Sequence, residues 1–138
     1  MLCPVCDKDM LVLEFELVEI DHCARCGGVW LDSGELALIG KRAGALHGDL
    51  LAALESGQGE PDKARPKRRC PVCRKRLLRA PAAGAHNIAV EKCPSGDGLW
   101  FEAGSLQAMI ETAGADSGNV FVRFLADLDK NRRAAKAD

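Results

Sequence analysis

The strongest constraint on this chain is a cysteine pattern that occurs almost twice. Cys3/Cys6, Cys23/Cys26 and Cys70/Cys73 form CxxC pairs, and Cys93 stands alone. "CPVC" occurs at 3–6 and again at 70–73, and "CARCGGVWLDSGEL" at 23–36 can be laid over "CPSGDGLWFEAGSL" at 93–106. In both longer stretches a Trp follows the first Cys by seven residues, and an acidic residue, a Gly and a Leu follow in step. The repeat covers about 3–40 and 70–112. The second copy has three more residues between its cysteine motifs, and these fall in the turn-rich string "APAAGAHN". Self-similarity on this scale implies two small units of one architecture.

The paired cysteines point to metal. Two CxxC turns, separated by a hairpin and brought back together, present four thiolates at the ~2.3 Å a tetrahedral Zn²⁺ requires. Cys3, Cys6, Cys23 and Cys26 are the ligand set expected in the first unit. Disulfides fit poorly with seven cysteines. A redox CxxC expects a βαβ context that this pattern lacks. A unit of ~40 residues buries too little apolar surface to fold unaided, so the ion supplies folding free energy. Such a site is closed and structural.

In the second unit Cys70, Cys73 and Cys93 recur, but Gly96 stands where the first unit has Cys26. Asp97, one residue on, is the nearest donor, and a carboxylate can ligate zinc at ~2.0–2.2 Å. The Gly-flanked "SGDG" loop can absorb a one-residue shift. The alternatives are a distant ligand or water, or no metal in this unit. His86 lies near the hairpin tip, too far along an extended strand. His22 adjoins Cys23 but points to the other face of its strand. His47 reaches only if the helices pack that way.

The segments between these motifs read as small elements. "LVLEFELVEID" alternates apolar and charged residues with a phase slip near Leu17 and Val18, which predicts two half-buried strands and a turn or bulge. Ile88 and Val90 carry the alternation in the second unit. Asp32 with Glu35 resembles a capping box, so a helix is expected after Trp30. Its stripe of Leu36, Ile39, Ala43, Leu46, Leu50 and Leu54 is interrupted by Gly40, Gly44 and Gly48, where a break or a close helix contact is expected. A shorter helix is expected at 103–113. Phe121, Phe124, Leu125 and Leu128 mark one face of a helix at about 118–135. Trp30 and Trp100 are read as core beneath the cysteines.

"CPVC…CARCGGVWLDSGEL" closely resembles the zinc-finger family named after the zinc ribbon of general transcription factor IIB. The resemblance is close over 3–40. It is looser over 70–112, where Gly96 replaces Cys26 and Ser105 replaces Glu35. It implies a zinc ribbon and carries the ligand role to Cys3, Cys6, Cys23 and Cys26, and to Cys70, Cys73 and Cys93. The expected fold is thus a small metal-bound α+β protein: two zinc-ribbon-like β-hairpin units, each followed by a helix, plus a C-terminal helix. The first unit and its helix span 1–57, a basic linker 58–69, the second unit 70–115, and the C-terminal amphipathic helix and tail 116–138.

Charge says most about partners. Residues 1–62 hold 12 Asp/Glu and 4 Lys/Arg, whereas 63–79 hold 9 Lys/Arg and no acid. Asymmetry of this kind suggests a polyanionic partner. Lys67, Arg68, Arg69, Arg74, Lys75, Arg76 and Arg79 are the candidates for binding nucleic acid or an acidic protein. The rival is internal, with this stretch facing the acidic first unit or balancing the zinc thiolates. Another reading is an adaptor whose helical faces bind, with the Phe121/Phe124/Leu125/Leu128 face docking on a partner or a second copy, or simply covering the ribbons. No paired acid and base, Ser/His/Asp set or phosphate-cradling loop supports an enzyme. A cytoplasmic location is expected, because thiols stay reduced there and no secretory leader or membrane span is read.

Overall fold

The computed structural model describes residues 1–44, 54, 59–61, 66–80, 88, 90–112 and 118–137. Expectations for His47, His86, and the turn and helix segments at 45–53, 81–87 and 113–117 lie outside the described residues. In the first unit β1 (Leu11–Phe15) and β2 (Val18–His22) form a hairpin, with Phe15 opposite Val18 and Leu11 opposite His22. Its two turn residues, Glu16 and Leu17, have φ of 46° and 69°. Two consecutive left-handed residues match the right-handed twist of the flanking strands. The phase slip in the sequence is therefore a tight turn rather than a bulge.

β3 (Val29–Asp32) pairs with β2, and β4 (Leu78–Arg79), β5 (Val90–Lys92) and β6 (Gly98–Phe101) repeat the plan in the second unit. The two units share one antiparallel sheet of order β1-β2-β3-β6-β5-β4. Its seam is β3 against β6, with Val29 opposite Phe101, Trp30 opposite Trp100, and Leu31 opposite Leu99. Trp30 thus faces its own repeat counterpart, and the seam lies on a pseudo-two-fold axis. Part of the segment read as linker also joins the sheet. Glu60 exchanges two backbone hydrogen bonds with Arg79, at 2.9 and 2.7 Å.

Alternation along the strands sorts the two faces of the sheet. Val29, Leu31, Leu99 and Phe101 join Phe15, Ile20 and Val90 in the larger core. Three helices of the described residues supply much of the rest of that core: α1 (Glu35–Ala43), α2 (Ser105–Thr112) and α3 (Val120–Ala137). α1 ends at Gly44 in the left-handed conformation, which accounts for one of the expected interruptions. Leu54, further along the same stripe, is buried in the core. The Asp32/Glu35 box is only half made. Glu35 accepts the Asp32 backbone N–H, but the Asp32 side chain accepts the Trp30 indole N–H at 2.8 Å. The opposite face of the sheet carries Trp30, Trp100, Met10 and Leu77 packed with the cysteines.

The apolar face of α3 is spent inside the chain. Phe121 and Leu125 are buried, and Phe124 and Leu128 pack against the core. Phe15 packs at a tilt against both Phe121 and Phe124, at centroid distances of 4.7 and 5.3 Å. This corrects the expectation of a homodimer through that face. Of the two readings, covering the ribbons within one chain is the one observed. No helix among the described residues is long and apolar enough to cross a membrane.

Candidate metal centre

Each unit gathers its cysteines with two turns. In the first unit the Cys3 N–H donates to Lys8 O at 2.8 Å, and Asp7, with φ 55°, donates to Cys3 O at 3.0 Å. In the second unit Cys70 donates to Lys75 O at 2.8 Å, and Arg74, with φ 67°, donates to Cys70 O at 2.9 Å. Backbone N–H groups also point at sulfur. Val5 and Cys6 donate to Cys3 Sγ, Cys26 to Cys23 Sγ, Val72 to Cys70 Sγ and Ser95 to Cys93 Sγ, at 3.3–3.4 Å. Such bonds favour the ionised sulfur that a metal needs.

The ligand atoms of Cys3, Cys6, Cys23 and Cys26 lie within 4.8 Å of one another, and so do those of Cys70, Cys73, Cys93 and Asp97. A tetrahedral zinc places sulfurs about 3.8 Å apart, and a sulfur and a carboxylate oxygen about 3.5 Å apart. Cys3 and Cys26 sulfurs are 3.7 Å apart, and Cys73 and Cys93 sulfurs 3.5 Å. Asp97 Oδ2 lies 3.5 Å from Cys70 Sγ and 3.4 Å from Cys93 Sγ. Both clusters therefore have donors and spacing that could hold zinc, one with four thiolates and one with three thiolates and a carboxylate.

The replacement of cysteine by aspartate is accommodated in the loop. In the first unit Gly27 takes φ 82° and its N–H reaches Cys23 O at 2.9 Å. In the second unit the φ of 82° belongs to Gly96, whose N–H reaches Cys93 O at 3.0 Å. The left-handed residue arrives one position earlier, so the turn is one residue tighter. Asp97 then follows the turn, and its side chain, one bond longer than cysteine's, spans the extra distance. The Ser33 N–H holds the Asp97 carbonyl at 2.9 Å from across the seam.

Electrostatics within the clusters is that of thiols packed together. Cys26 is held down at about 5, chiefly by its hydrogen bond with Cys3, whose own thiol is raised by the same bond and by burial. Burial pushes Cys70 up to about 12 and also raises Cys6 and Cys93. The thiols of Cys73, Cys93 and Cys70 keep the Asp97 carboxyl below its ordinary range. A divalent cation would resolve this crowding by taking the place of the shared protons.

Sequence reasoning missed the groups around the clusters. The Arg132 guanidinium of α3 sits beside the Cys23–Cys26 loop, donating to Arg25 O at 3.4 Å and pairing with Asp129 at 2.7 Å. Its Nε lies 2.6 Å from where a Gly27 Cβ would stand. His22 is buried opposite Val29, on the helix-bearing face and away from the sulfurs. Burial first, and then Arg132, lowers its pKa.

The candidate basic residues divide into two groups. Arg68 turns inward and clamps Glu91 at 2.9 Å and Glu102 at 2.6 Å, with its side chain only 14% exposed. Its assignment to a partner surface is corrected. The repeat held part of the clue, because Glu91 is the counterpart of Asp21, and both are acids buried in a strand. Arg79 pairs with Glu60 at 3.3 Å, and Arg76 is half-buried at an isolated backbone bridge to Arg69. Lys67, Arg69, Arg74 and Lys75 are exposed. Lys67, Arg69 and Arg74 line a cleft of about 180 Å³ together with Pro4 and Asp7 of the first unit's knuckle. Lys75 Nζ donates to Ser95 at 2.7 Å, across the second cluster.

Residues 2–42 match the model of the family described as transcription factor zinc-finger. The match covers the first unit, and the second cysteine cluster lies beyond it. No curated protein and no solved structure matches the chain.

Proposed function

We propose that this chain is a non-enzymatic, zinc-organised double ribbon that binds the phosphate backbone of nucleic acid. Cys3, Cys6, Cys23 and Cys26 hold one structural Zn²⁺, and Cys70, Cys73, Cys93 and Asp97 hold a second. Four protein donors complete each coordination shell, which leaves no position for a reacting water. The carrying observation is the cleft between the two CxxC knuckles, where three exposed cations meet a single carboxylate. Phosphates are bound there by charge, tolerant of sequence. The stretch lacks interleaved aromatics, so stacking on single-stranded bases has no support. The family description mentions transcription, which agrees with this reading, although a zinc ribbon by itself transfers no function. The buried face of α3 removes the main support for an adaptor that docks through its helices.

Fluorescence anisotropy of a labelled DNA duplex, measured across salt concentrations, tests the proposal. Binding should weaken steeply with salt, with a log–log slope of about −3 to −4 for three or four phosphate contacts. Replacing Lys67, Arg69 or Arg74 by Ser should flatten that slope by about one each and leave stability unchanged. Arg68→Leu should instead destabilise the fold by roughly 1–3 kcal/mol, because it takes the guanidinium away from the buried Glu91 carboxylate. Absence of binding even at ~50 mM salt contradicts the reading.

A further inference from the structure

The two metal clusters differ in a way that bears directly on the cationic cleft. The first offers four sulfurs, and the second three sulfurs and the carboxylate of the partly exposed Asp97. Zn²⁺ is a borderline-soft ion that thiolate holds well, while a water-accessible carboxylate is a harder donor with open competition from solvent. An ion held in the second cluster would therefore be the weaker-held and faster-exchanging of the two.

That ion is also the one closest to the cations. Lys67, Arg69, Arg74 and Lys75 all flank the Cys70–Cys73 turn. Arg74 carries a left-handed φ and donates to Cys70 O, and Arg69 donates to the Arg74 carbonyl at 3.1 Å. Lys75 bridges to Ser95 in the loop that presents Asp97. The Val72 N–H, in the turn itself, points at Cys70 Sγ at 3.3 Å. The backbone that sets the spacing of these charges is thus folded around the metal donors. Releasing the ion lets the turn open and scatters the cations. The first unit has its own four-thiolate cluster, with the Arg132 guanidinium beside the Cys23–Cys26 loop.

We infer that zinc at Cys70, Cys73, Cys93 and Asp97 is exchangeable, and that its occupancy switches the cationic cleft between a binding and a non-binding form while the first unit stays folded. The switching half of this inference rests on the nucleic-acid reading above.

The experiment uses the full chain, reduced and loaded with zinc, challenged stepwise with EDTA. Zinc release is followed by native mass spectrometry, binding by anisotropy of a labelled DNA duplex, and the first unit by its amide chemical shifts. The expected result is two stages. The first equivalent leaves roughly 10-fold or more faster than the second, and duplex binding falls with it. The first unit's dispersion persists until the second equivalent goes. The double variant Gly96→Cys/Asp97→Gly gives the second loop the Cys-x-x-Cys-Gly-Gly order of the first; it should release both ions slowly and keep binding through the first stage. If that variant does not fold, Asp97→Ala serves instead: about one zinc, first-unit shifts retained and duplex binding lost. Simultaneous release of both equivalents, or binding that survives loss of the first, overturns the inference. A fully loaded chain that never binds the duplex overturns the nucleic-acid reading and the switch with it, and staged release then still decides exchangeability.

Discussion

Trp30 and Trp100 are cross-strand partners at the seam, and each fills the space above the other unit's glycine. A Cβ on Gly28 would lie 2.2 Å from two indole carbons of Trp100, and one on Gly98 would lie 2.7 Å from an indole carbon of Trp30. Gly28 and Gly98 are repeat counterparts, so the contact is reciprocal. Each unit thus covers part of the other's metal face, and packing at the seam couples the two ribbons.

This interlock predicts the effect of one methyl group. Gly28→Ala should cost roughly 1–3 kcal/mol by overpacking. Adding Trp100→Leu should return part of that loss, because the clash is with that ring. Denaturant melts of the two single variants and the double variant, with zinc in excess, give the coupling energy. Additive losses would show that the two residues do not meet. Gly98→Ala should not be rescued by changing Trp30, since its Cβ also meets the Leu31 carbonyl at 2.3 Å.

The two tryptophans differ in their polar atoms. Trp30 Nε1 has Asp32, whereas Trp100 Nε1 is buried without a partner because its counterpart acid, Glu102, is engaged by Arg68. Trp30→Phe should therefore cost about 1 kcal/mol more than Trp100→Phe. Equal losses in denaturant melts would contradict the asymmetry.

Glu35 supplies a pH dependence. Burial chiefly, with the charges of Asp32, Asp21 and Glu19, pushes its carboxyl up from 4.5 to about 7, against the opposing bond from the Asp32 N–H. The folded state holds this proton more tightly than the unfolded chain, so stability falls as pH rises from about 4.5 through about 7. Glu35→Gln keeps an oxygen for the Asp32 N–H and removes the charge. Between pH 5.5 and 8, with zinc in excess, the wild type should lose roughly 1 kcal/mol more than the variant. Parallel stability curves would contradict this.

The parts of this protein that follow local rules were legible in its sequence. Cysteine spacing marks the turns, alternation marks the strands, and the Asp32/Glu35 spacing marks the start of α1 to within a few residues. The step from Gly96 to Asp97 was also legible as a candidate, because a repeat exposes its own exceptions. What depended on tertiary context was not. Trp30 and Trp100 read equally well as the cores of two separate ribbons, and only their pairing at β3 and β6 shows one sheet. Arg68 looks like its neighbours in a run of cations, yet its direction is set by two acids 23 and 34 residues away in sequence. The apolar face of α3 looks the same whether it meets Phe15 or a second chain.

The account turns on the second cluster holding an ion as the first does. Zinc should be counted per chain, by native mass spectrometry of the reduced, full-length protein and of Asp97→Ala. Two ions in the wild type and one in the variant are expected. A single ion in the wild type, unchanged in the variant, would contradict it.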